Sequence, residues 1–359
     1  MDTPAGEAKG SSYRALIWVA VILCVVLIAF VVFAATTGKS ATIQLPQDQQ
    51  LVPISATTSA VASSGSTEPL KGYFFISGAF DMTTSLLNTY AIGANDARVI
   101  GIGGTPDSVG NMYSFTGDGK TAVFIGTTKQ FLQQFQTGAR PAGGVRQVYY
   151  EQLSEGGFPT PNTATQLTDN TVPNKQMPAI SDDGSRVVYV SASTSVPQVG
   201  ASTIHLVTAA GDKALFAGTD PQWFSANGFY YVAPDGIRLF DVAASSSALV
   251  LPIDGQSNFR IAVSPDRTRL AFSDPDGNVV SFFAIGSGGM TLRPLETLPM
   301  RGFWVVFSPD SRYAAVQTLN MQDGQPLLDI FAVGDFTQVR TIHLGSFLND
   351  RLFVTAWLY

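Results

Sequence analysis

Cysteine, basic clusters and charged residues in general are scarce in this sequence. The single cysteine, Cys24, lies in an apolar run near the N-terminus, so the rest of the chain has no thiol for a disulfide or a cysteine-ligated metal site. Only 13% of the residues are charged, the net charge is -6, and no cluster of Lys and Arg follows the first few dozen residues. Because a nucleic-acid backbone requires a basic surface, the sequence excludes nucleic acid as a partner.

Sequence signatures of catalysis and of metal binding are also missing. No Gly-x-Ser-x-Gly nucleophile motif occurs, and Asp274-Pro-Asp-Gly-Asn begins like a calcium loop but has no Glu at the spacing that completes one. We interpret it as a hairpin turn. The two histidines, His205 and His343, both lie in Ile-His-Leu, at places that the repeat described below makes equivalent, which indicates a structural role. We predict no catalytic residue, no metal and no cofactor.

An uncharged apolar run, ALIWVAVILCVVLIAFVVFAA, covers residues 15–35. At about 1.5 Å per residue, a helix of this length spans roughly 30 Å of hydrocarbon, which predicts a transmembrane helix. Lys9 and Arg14 precede the run and Lys39 alone follows closely, so the charge bias predicts a cytoplasmic N-terminus and an extracytoplasmic C-terminal part. A cleaved signal peptide is the alternative, because Val32-Phe33-Ala34 resembles a cleavage site.

Composition divides the chain into four segments. Residues 1–14 are predicted to form a short cytoplasmic tail, 15–35 the membrane helix, and 36–70 a disordered stalk rich in Ser, Thr and Ala. Residues 71–359 form the folded domain. The 34 Gly, 20 Pro and 11% aromatic residues of the chain suit short strands joined by tight turns, so this domain is predicted to be all-β.

A short pattern recurs five times within this domain: an apolar residue, a Ser or Thr, a turn with Asp or Asn and Gly or Pro, and an alternating apolar strand. The copies begin at Phe115, Ile180, Phe224, Val263 and Phe307. Their Ser or Thr residues are separated by 65, 44, 39 and 44 residues. Three of these spacings match the ~40–45 residues of a four-stranded propeller blade, and the long one predicts an insertion between about Lys129 and Asn174.

The segment ATQLTDNTVPNKQMPAISDDGSRVVYVS, which starts at Ala164, resembles the repeat of the TolB-like, or WD40-like, β-propeller family. In that repeat a Leu-Thr pair ends one blade, and a Ser-Pro-Asp-Gly turn joins the first two strands of the next. Ser264-Pro265-Asp266 and the corresponding residues from Ser308 match the turn without its Gly, Asp182-Asp183-Gly184 lacks its Pro, and the copy at Ser225 is poor. The resemblance covers roughly residues 110–345. It implies a β-propeller and carries little information on function.

A sixth blade follows from closure of the ring. Residues 72–104 contain three strand-like runs without a motif turn, and the run that starts at Leu352 is a strand with no blade of its own. We therefore predict a six-bladed β-propeller of four-stranded antiparallel sheets, in which the C-terminal strand completes the first sheet.

Aromatic residues and Arg are concentrated in the predicted insertion. They are Phe131, Phe135, Arg140, Arg146, Tyr149 and Tyr150. These residue types are common at the centres of protein interfaces, and one hypothesis is that they form a partner-binding loop. The alternative is that Val148-Tyr-Tyr-Glu-Gln-Leu is a blade strand and that the remainder is a mobile loop without function.

The lack of a catalytic set favours a membrane-anchored, non-catalytic propeller that acts as a protein-interaction platform or envelope scaffold. The partner is expected on the face with the long inter-blade loops. The resemblance implies a bacterial envelope protein, with the propeller in the periplasm or at the cell surface. The alternative is an enzyme or receptor that binds a small ligand, a glycan or a peptide in the central funnel. Carboxylates and histidines that converge there would favour this alternative.

Overall fold

The computed structural model describes twelve ranges of the chain. They are residues 69–78, 89–95, 99–102, 108–128, 146–153, 164–169, 174–192, 197–253, 259–276, 278–319, 324–344 and 352–359. Within these ranges there is one short 3₁₀ helix at Ser287–Gly289, and no helix is long and apolar enough to cross a membrane. The predicted cytoplasmic tail, the predicted membrane helix and nearly all of the predicted stalk lie outside the described residues.

All other regular structure in these ranges is β-strand. In chain order the strands are β1 (Tyr73–Gly78), β2 (Thr89–Gly93), β3 (Val99–Ile102), β4 (Ser108–Phe115), β5 (Thr121–Thr128), β6 (Arg146–Gln152), β7 (Thr165–Gln166), β8 (Lys175–Ile180), β9 (Val187–Ala192), β10 (Ser202–Thr208), β11 (Gly211–Ala217), β12 (Thr219–Ser225), β13 (Gly228–Ala233), β14 (Gly236–Asp241), β15 (Ser246–Pro252), β16 (Arg260–Val263), β17 (Arg269–Asp274), β18 (Val279–Ile285), β19 (Leu292–Leu298), β20 (Trp304–Phe307), β21 (Tyr313–Leu319), β22 (Pro326–Ala332), β23 (Gln338–His343) and β24 (Leu352–Leu358).

The strands form six antiparallel sheets of four strands, which are the blades of a β-propeller. Blade 1 has the order β24-β1-β2-β3, and blades 2 to 6 take β4 to β7, β8 to β11, β12 to β15, β16 to β19 and β20 to β23. The first strand of each blade is the innermost, because these six strands contact one another in a closed ring. The prediction of a six-bladed, all-β propeller is therefore confirmed.

The two ends of the domain are joined in blade 1. Strand β24 pairs antiparallel with β1, with Tyr73 opposite Leu358 and Ile76 opposite Val354. Trp357 is only 4% exposed, lies 4.5 Å from the Phe74 ring, and donates its indole N–H to the carbonyl oxygen of Lys71 at 2.8 Å. The C-terminal strand thus closes the ring, as the sequence predicted.

The hydrophobic core consists of six layers, one between each pair of neighbouring blades. Strand β13 shows how one blade contributes to two layers. Phe229 and Tyr231 pack toward blade 3, whereas Tyr230 and Val232 pack toward blade 5. Because successive side chains of a strand point to opposite faces, an uninterrupted apolar run is what a strand with two buried faces requires.

The recurring motif forms the turn between the first two strands of a blade. Ser308 Oγ donates to Asp310 Oδ1 at 2.6 Å and accepts the backbone N–H of Tyr313 at 2.9 Å, and Asp310 Oδ1 accepts the N–H of Arg312 at 3.1 Å. The same bonds recur in the turns that start at Thr116, Ser181 and Ser264. Each hydroxyl and carboxylate therefore satisfies backbone groups that the turn removes from the sheet.

One position of this turn has a positive φ, and two of the four copies place a residue other than Gly there. Gly119 and Gly184 have φ of 66° and 70°, and Arg267 and Ser311 hold the same conformation with φ of 61° and 57°. A side chain at such a φ is strained, so its presence requires compensating contacts. Ser311 supplies one, because its Oγ accepts the backbone N–H of Asp266 in the neighbouring blade at 3.0 Å.

The long spacing between the first two motif copies lies within blade 2. Strands β6 and β7 occupy part of the predicted insertion, so it is not a single loop. The remaining length falls in residues 129–145, between β5 and β6, and in residues 154–163, between β6 and β7. Both segments lie outside the described residues.

Replacing Trp357 with Ala is expected to lower the free energy of unfolding by about 3–5 kcal/mol, because it removes a buried ring from the strand that closes the propeller. Urea unfolding measures the change. It is monitored by far-UV circular dichroism, because the substitution removes a tryptophan and alters the fluorescence. Tyr359→Ala is the control, since Tyr359 is 65% exposed and its loss is expected to change stability by less than about 0.5 kcal/mol. Equal effects of the two substitutions would contradict the role of β24 in closure.

Replacing Ser308 with Ala is expected to lower the free energy of unfolding by about 1–3 kcal/mol, because the buried backbone N–H of Tyr313 loses its acceptor and the Asp310 carboxylate loses a donor. Thermal unfolding compares it with Ser287→Ala, which removes an exposed hydroxyl from the 3₁₀ helix. If both variants unfold at the wild-type temperature, the turn network does not stabilise the blade.

Candidate functional site

A cavity of about 440 Å³ lies on the propeller axis. Residues of all six innermost strands line it, and it extends to the turns at one end of the ring. We call this end the turn face; it is formed by residues 116–119, 181–184, 225–228, 264–267 and 308–311. Pockets of this volume accommodate a small molecule or a short chain segment.

The cavity wall combines polar and apolar surface in about equal parts. Large side chains in the wall include Met112, Tyr113, Met177, Trp223, Trp304 and Trp357. The charged residues are Asp118, Asp182, Asp220 and Arg267. Concave sites that combine apolar side chains with a few polar groups are typical of ligand binding. Asp118 and Asp182 belong to exposed turns at the mouth, Asp220 lies deeper in the wall, and no histidine is among the described residues that line the cavity.

Three consecutive innermost strands carry an irregularity at the same level of the cavity. Met112 in β4, Met177 in β8 and Asp220 in β12 have φ of 55°, 50° and 49°, each at a bulge in the pairing with the second strand. A β-bulge redirects a side chain, and here all three residues line the cavity. Left-handed non-glycine residues cost free energy, and they are found preferentially at functional sites.

Asp220 is the most deeply buried charged group of the wall, at 1% exposure. Its Oδ2 accepts the backbone N–H of Ile261, the second residue of β16 in the next blade. Burial raises the pKa of Asp220 to about 6, against the opposing effect of the nearby Arg260 guanidinium. Arg260 in turn stacks over the Trp304 ring at 4.9 Å. The carboxylate thus links two blades and supplies a group that can change charge near neutral pH.

Arginines from two neighbouring blades hold the turn of blade 4, which has no Ser–Asp network. Arg186 of blade 3 donates to the carbonyl oxygen of Ala226 at 2.6 Å and to Asn227 Oδ1 at 2.7 Å. Arg267 of blade 5 donates to the carbonyl oxygen of Trp223 at 2.8 Å and pairs with Asp182 of blade 3. The mouth of the cavity is therefore braced across three blades, where the sequence copy of the motif is poorest.

The structure describes three of the six residues that were predicted to form a partner-binding loop. Arg146, Tyr149 and Tyr150 belong to β6, and Tyr149 is buried between blades 1 and 2, where it stacks on Phe124 at 5.5 Å. Phe131, Phe135 and Arg140 lie outside the described residues. Val148-Tyr-Tyr-Glu-Gln is thus a blade strand, and the partner-binding role of the residues that precede it stays a prediction.

Glu151, on the same strand, is a buried acid without a hydrogen bond at one oxygen. It is 1% exposed, and its Oε1 has no partner within the described part of the chain. Burial raises the pKa of Glu151 to about 7. A carboxyl group in this position is therefore close to half protonated at neutral pH.

The expected equivalence of the two histidines is wrong. His205 lies on β10, the third strand of blade 3, whereas His343 ends β23, the fourth strand of blade 6. The shared Ile-His-Leu sequence misled the alignment, because apolar strands alternate in the same way at any position of a blade. Neither strand borders the axis, so the two rings do not converge there. Among the described residues no group of three or more His, Cys, Asp or Glu could hold a metal ion.

Asp220, Met112 and Met177 were not identified from the sequence. The sequence contains a sign of the irregularity at two of these positions. Pro178 directly follows Met177, and Pro221 directly follows Asp220. Proline within a strand is confined to edges and bulges, so it marks an irregularity in an otherwise regular strand. That the bulges face the axis depends on the ring and is not visible in the sequence.

Solved structures are similar to this chain in fold. TolB from Acinetobacter baumannii superposes with a TM-score of 0.56 at 15% identity, over 80% of this chain and 66% of that chain, so the match spans just under two thirds of TolB. A chain of the nidogen/laminin complex gives 0.52 at 9% identity, over 78% of this chain and 96% of that one. The β-propeller domain of Myceliophteria thermophila Cps50 (Swd1) gives 0.48 at 12% identity, over 80% and 90%.

The similarity to TolB confirms the TolB-like propeller that the repeat predicted, at the level of the fold. At such identities the likeness shows the fold alone. No protein-family model matches the sequence, and no curated protein sequence matches it. Function must therefore be argued from the site.

Replacing Glu151 with Gln is expected to remove a pH dependence of stability. Because folding raises the pKa from 4.5 to about 7, the folded state keeps a proton that the unfolded state has released, and the free energy of unfolding falls as the pH rises between these values. At about 1.4 kcal/mol per pKa unit the loss is on the order of 3 kcal/mol. Urea unfolding from pH 4.5 to 8 measures it.

Glu296→Gln is the matched control for this substitution, because Glu296 is exposed on the outer strand β19. It is expected to leave the slope of the wild-type profile unchanged. If the wild-type and Glu151→Gln profiles run parallel, Glu151 ionises in the folded protein as it does in the unfolded chain.

Proposed function

We propose that this protein is a binding platform: a propeller, anchored by a membrane helix at residues 15–35, that holds a segment of a protein partner at its turn face. The braced mouth of the axial cavity is the observation that carries this proposal. The propeller lies outside the cytoplasm, in the envelope of a bacterium. The charge bias around the apolar run supports this orientation, and the TolB-like fold supports a binding role.

A rigid surface binds at a lower cost than one that must be ordered. The Ser–Asp networks of four turns and the two arginines around blade 4 hold the mouth of the cavity in one arrangement. Since association pays for every side chain and loop that it immobilises, a mouth fixed in advance leaves more of the contact energy for affinity.

The turn face also presents residue types that carry binding energy. Tyr359 is 65% exposed at the C-terminal end of β24, and Arg312 is exposed next to the turn of blade 6. Tyr and Arg are enriched among the residues that dominate protein interfaces. The deeper wall of the cavity, with Trp223 and Trp304, can accept an apolar side chain of the same partner segment.

Phe131, Phe135 and Arg140 are proposed as a second set of partner-binding residues. The described chain before them ends with β5 at Thr128, at the end of the blade opposite the turn face. The two surfaces can therefore be altered independently.

The second candidate function is the binding of a small ligand, glycan or peptide within the axial cavity. The observation that favours it is the level of Met112, Met177 and Asp220, where three bulged residues of neighbouring strands line the cavity. Glycan and peptide libraries test it directly on the purified protein.

Affinity capture from detergent-solubilised membranes tests the platform. The bait is the full chain with a tag at the N-terminus, because the C-terminus lies beside the cavity mouth. The mouth variant combines Arg312→Glu with Tyr359→Ala, and it is expected to lose a specific envelope protein at least about tenfold, as removal of two interface anchors implies. The loop variant replaces residues 129–145 with a short Gly-Ser linker and keeps strands β6 and β7.

Arg293→Glu is the matched control, because Arg293 is exposed on the outer strand β19 and its reversal changes the net charge as Arg312→Glu does. It is expected to retain the partner. Loss with the loop variant alone would move the binding surface to the opposite end of the ring. If the wild-type bait captures no specific protein, the platform is rejected and the axial cavity becomes the leading site.

A further inference from the structure

Blade 3 carries a chain of hydrogen-bonded polar residues on the face that packs toward blade 2, away from the axial cavity. Ser191 on β9, His205 on β10 and Asp212 on β11 come from three adjacent strands. Tyr189, two residues before Ser191, is opposite His205 in the sheet and belongs to the core layer between blades 2 and 3. The four residues therefore share that face.

The distances match those of a nucleophile, a base and an acid that orients the base. Ser191 Oγ lies 3.1 Å from His205 Nε2, and His205 Nδ1 lies 3.1 Å from Asp212 Oδ1. Because a carboxylate can only accept, Nδ1 carries the ring proton and Nε2 is left to accept the proton of the serine hydroxyl. The competing contact of that hydroxyl with the carbonyl oxygen of Thr203 is longer, at 3.5 Å.

The imidazole ring is held in place from two sides. The Tyr189 ring stacks on it with centroids 4.7 Å apart, and the Tyr189 hydroxyl donates to Asp212 Oδ2 at 2.5 Å. Burial by itself would raise the pKa of Asp212, but the hydrogen bonds from His205 and Tyr189 outweigh it and keep the pKa below its usual value. Asp212 is thus a carboxylate at neutral pH and can stabilise an imidazolium.

A lysine lies on the same face of the blade as the serine. Lys175 is the residue opposite Ser191 in the pairing of β8 with β9. Lys175 is fully buried, and its Nζ donates to the carbonyl oxygen of Asp169 at 2.7 Å. Burial lowers the pKa of Lys175, and the charges of Asp169 and Asp212 oppose this shift, so the lysine is electrostatically coupled to the acid of the set.

The polar residues of this face keep some contact with solvent. Ser191 is half-buried, and the Asp212 side chain keeps 27% of its surface. His205 is buried at 6% exposure, so the serine and the carboxylate are the accessible members of the set.

We propose that Ser191, His205 and Asp212 form an acyl-transfer site on the face of blade 3 that packs toward blade 2, with carboxylic esters as substrates. Ser191 Oγ bonds to the ester carbonyl carbon while its proton passes to His205 Nε2. The carbon–oxygen bond to the alcohol breaks, the alkoxide takes the proton from His205, and the acyl group stays on Ser191. Water then cleaves the acyl-serine with His205 as base, which yields the acid and restores the enzyme.

Esters fit this site better than amides. The serine lies in a strand and not in a sharp strand-to-helix turn, so the backbone N–H groups around it are committed to the sheet and do not form an oxyanion hole. A weaker oxyanion site favours a substrate whose leaving group departs readily, which an alkoxide or phenolate does and an amine does not.

Labelling of the full-length, detergent-solubilised protein with a fluorophosphonate tests the site. Ser191 Oγ forms a bond to phosphorus, fluoride leaves, and the proton passes to His205. Mass spectrometry is expected to find the adduct on Ser191, and 4-nitrophenyl acetate is expected to be hydrolysed. Ser191→Ala abolishes both, His205→Gln slows labelling by at least about 100-fold, and Asp212→Asn slows it by about tenfold or more.

Two variants are matched controls. Ser281→Ala removes a strand serine that bonds only Thr297 Oγ1 in its sheet, at 3.1 Å, and His343→Gln removes the other histidine. Both are expected to label at the wild-type rate. The decisive result comes from the wild-type protein: if it is folded by circular dichroism and Ser191 carries no adduct, the residues are a structural network and the proposal is overturned, whatever the variants do.

Discussion

The apolar layers between neighbouring blades are the interaction on which the structure depends. A four-stranded sheet has two apolar faces and cannot bury either within itself, so each blade is stable only between two others. The alternation along strands such as β13 supplies one row of side chains to each neighbour. In a linear array the two terminal blades would each leave a face exposed. Pairing of β24 with β1 removes both exposed faces, because it places blade 1 against blade 6 as well as blade 2.

Closure of the ring also creates the axial cavity. Six twisted sheets that meet at their innermost strands cannot fill the axis, so side chains of those strands line a space of about 440 Å³. The three bulges at Met112, Met177 and Asp220 alter this lining at one level. Hydrogen bonds between blades then take over where the sheet is interrupted, as the bond from the N–H of Ile261 to Asp220 shows. Stability and the shape of the candidate site are therefore coupled.

The candidate sites consist of polar groups outside the apolar centre of the blade layers. The turn face is built from polar turns that contribute to no layer, and the Ser191–His205–Asp212 set extends from the second to the fourth strand of blade 3. Blades diverge with distance from the axis, so polar groups there can keep access to solvent, as the partly exposed Asp212 side chain does. The axial cavity and this polar set are therefore separate places in the fold.

The sequence alone determined the fold class, the blade repeat and the closing strand, because these follow from local patterns: alternation along strands, turn residues at fixed places, and a spacing near that of one blade. It did not determine which strand of a blade carries a given residue, as the false equivalence of His205 and His343 shows, since an apolar strand has the same pattern at every position. Nor could it identify Asp220 or unite Ser191, His205 and Asp212. These contacts arise from pairing between strands and packing between blades, which bring together residues whose separation in the chain carries no sign of their contact.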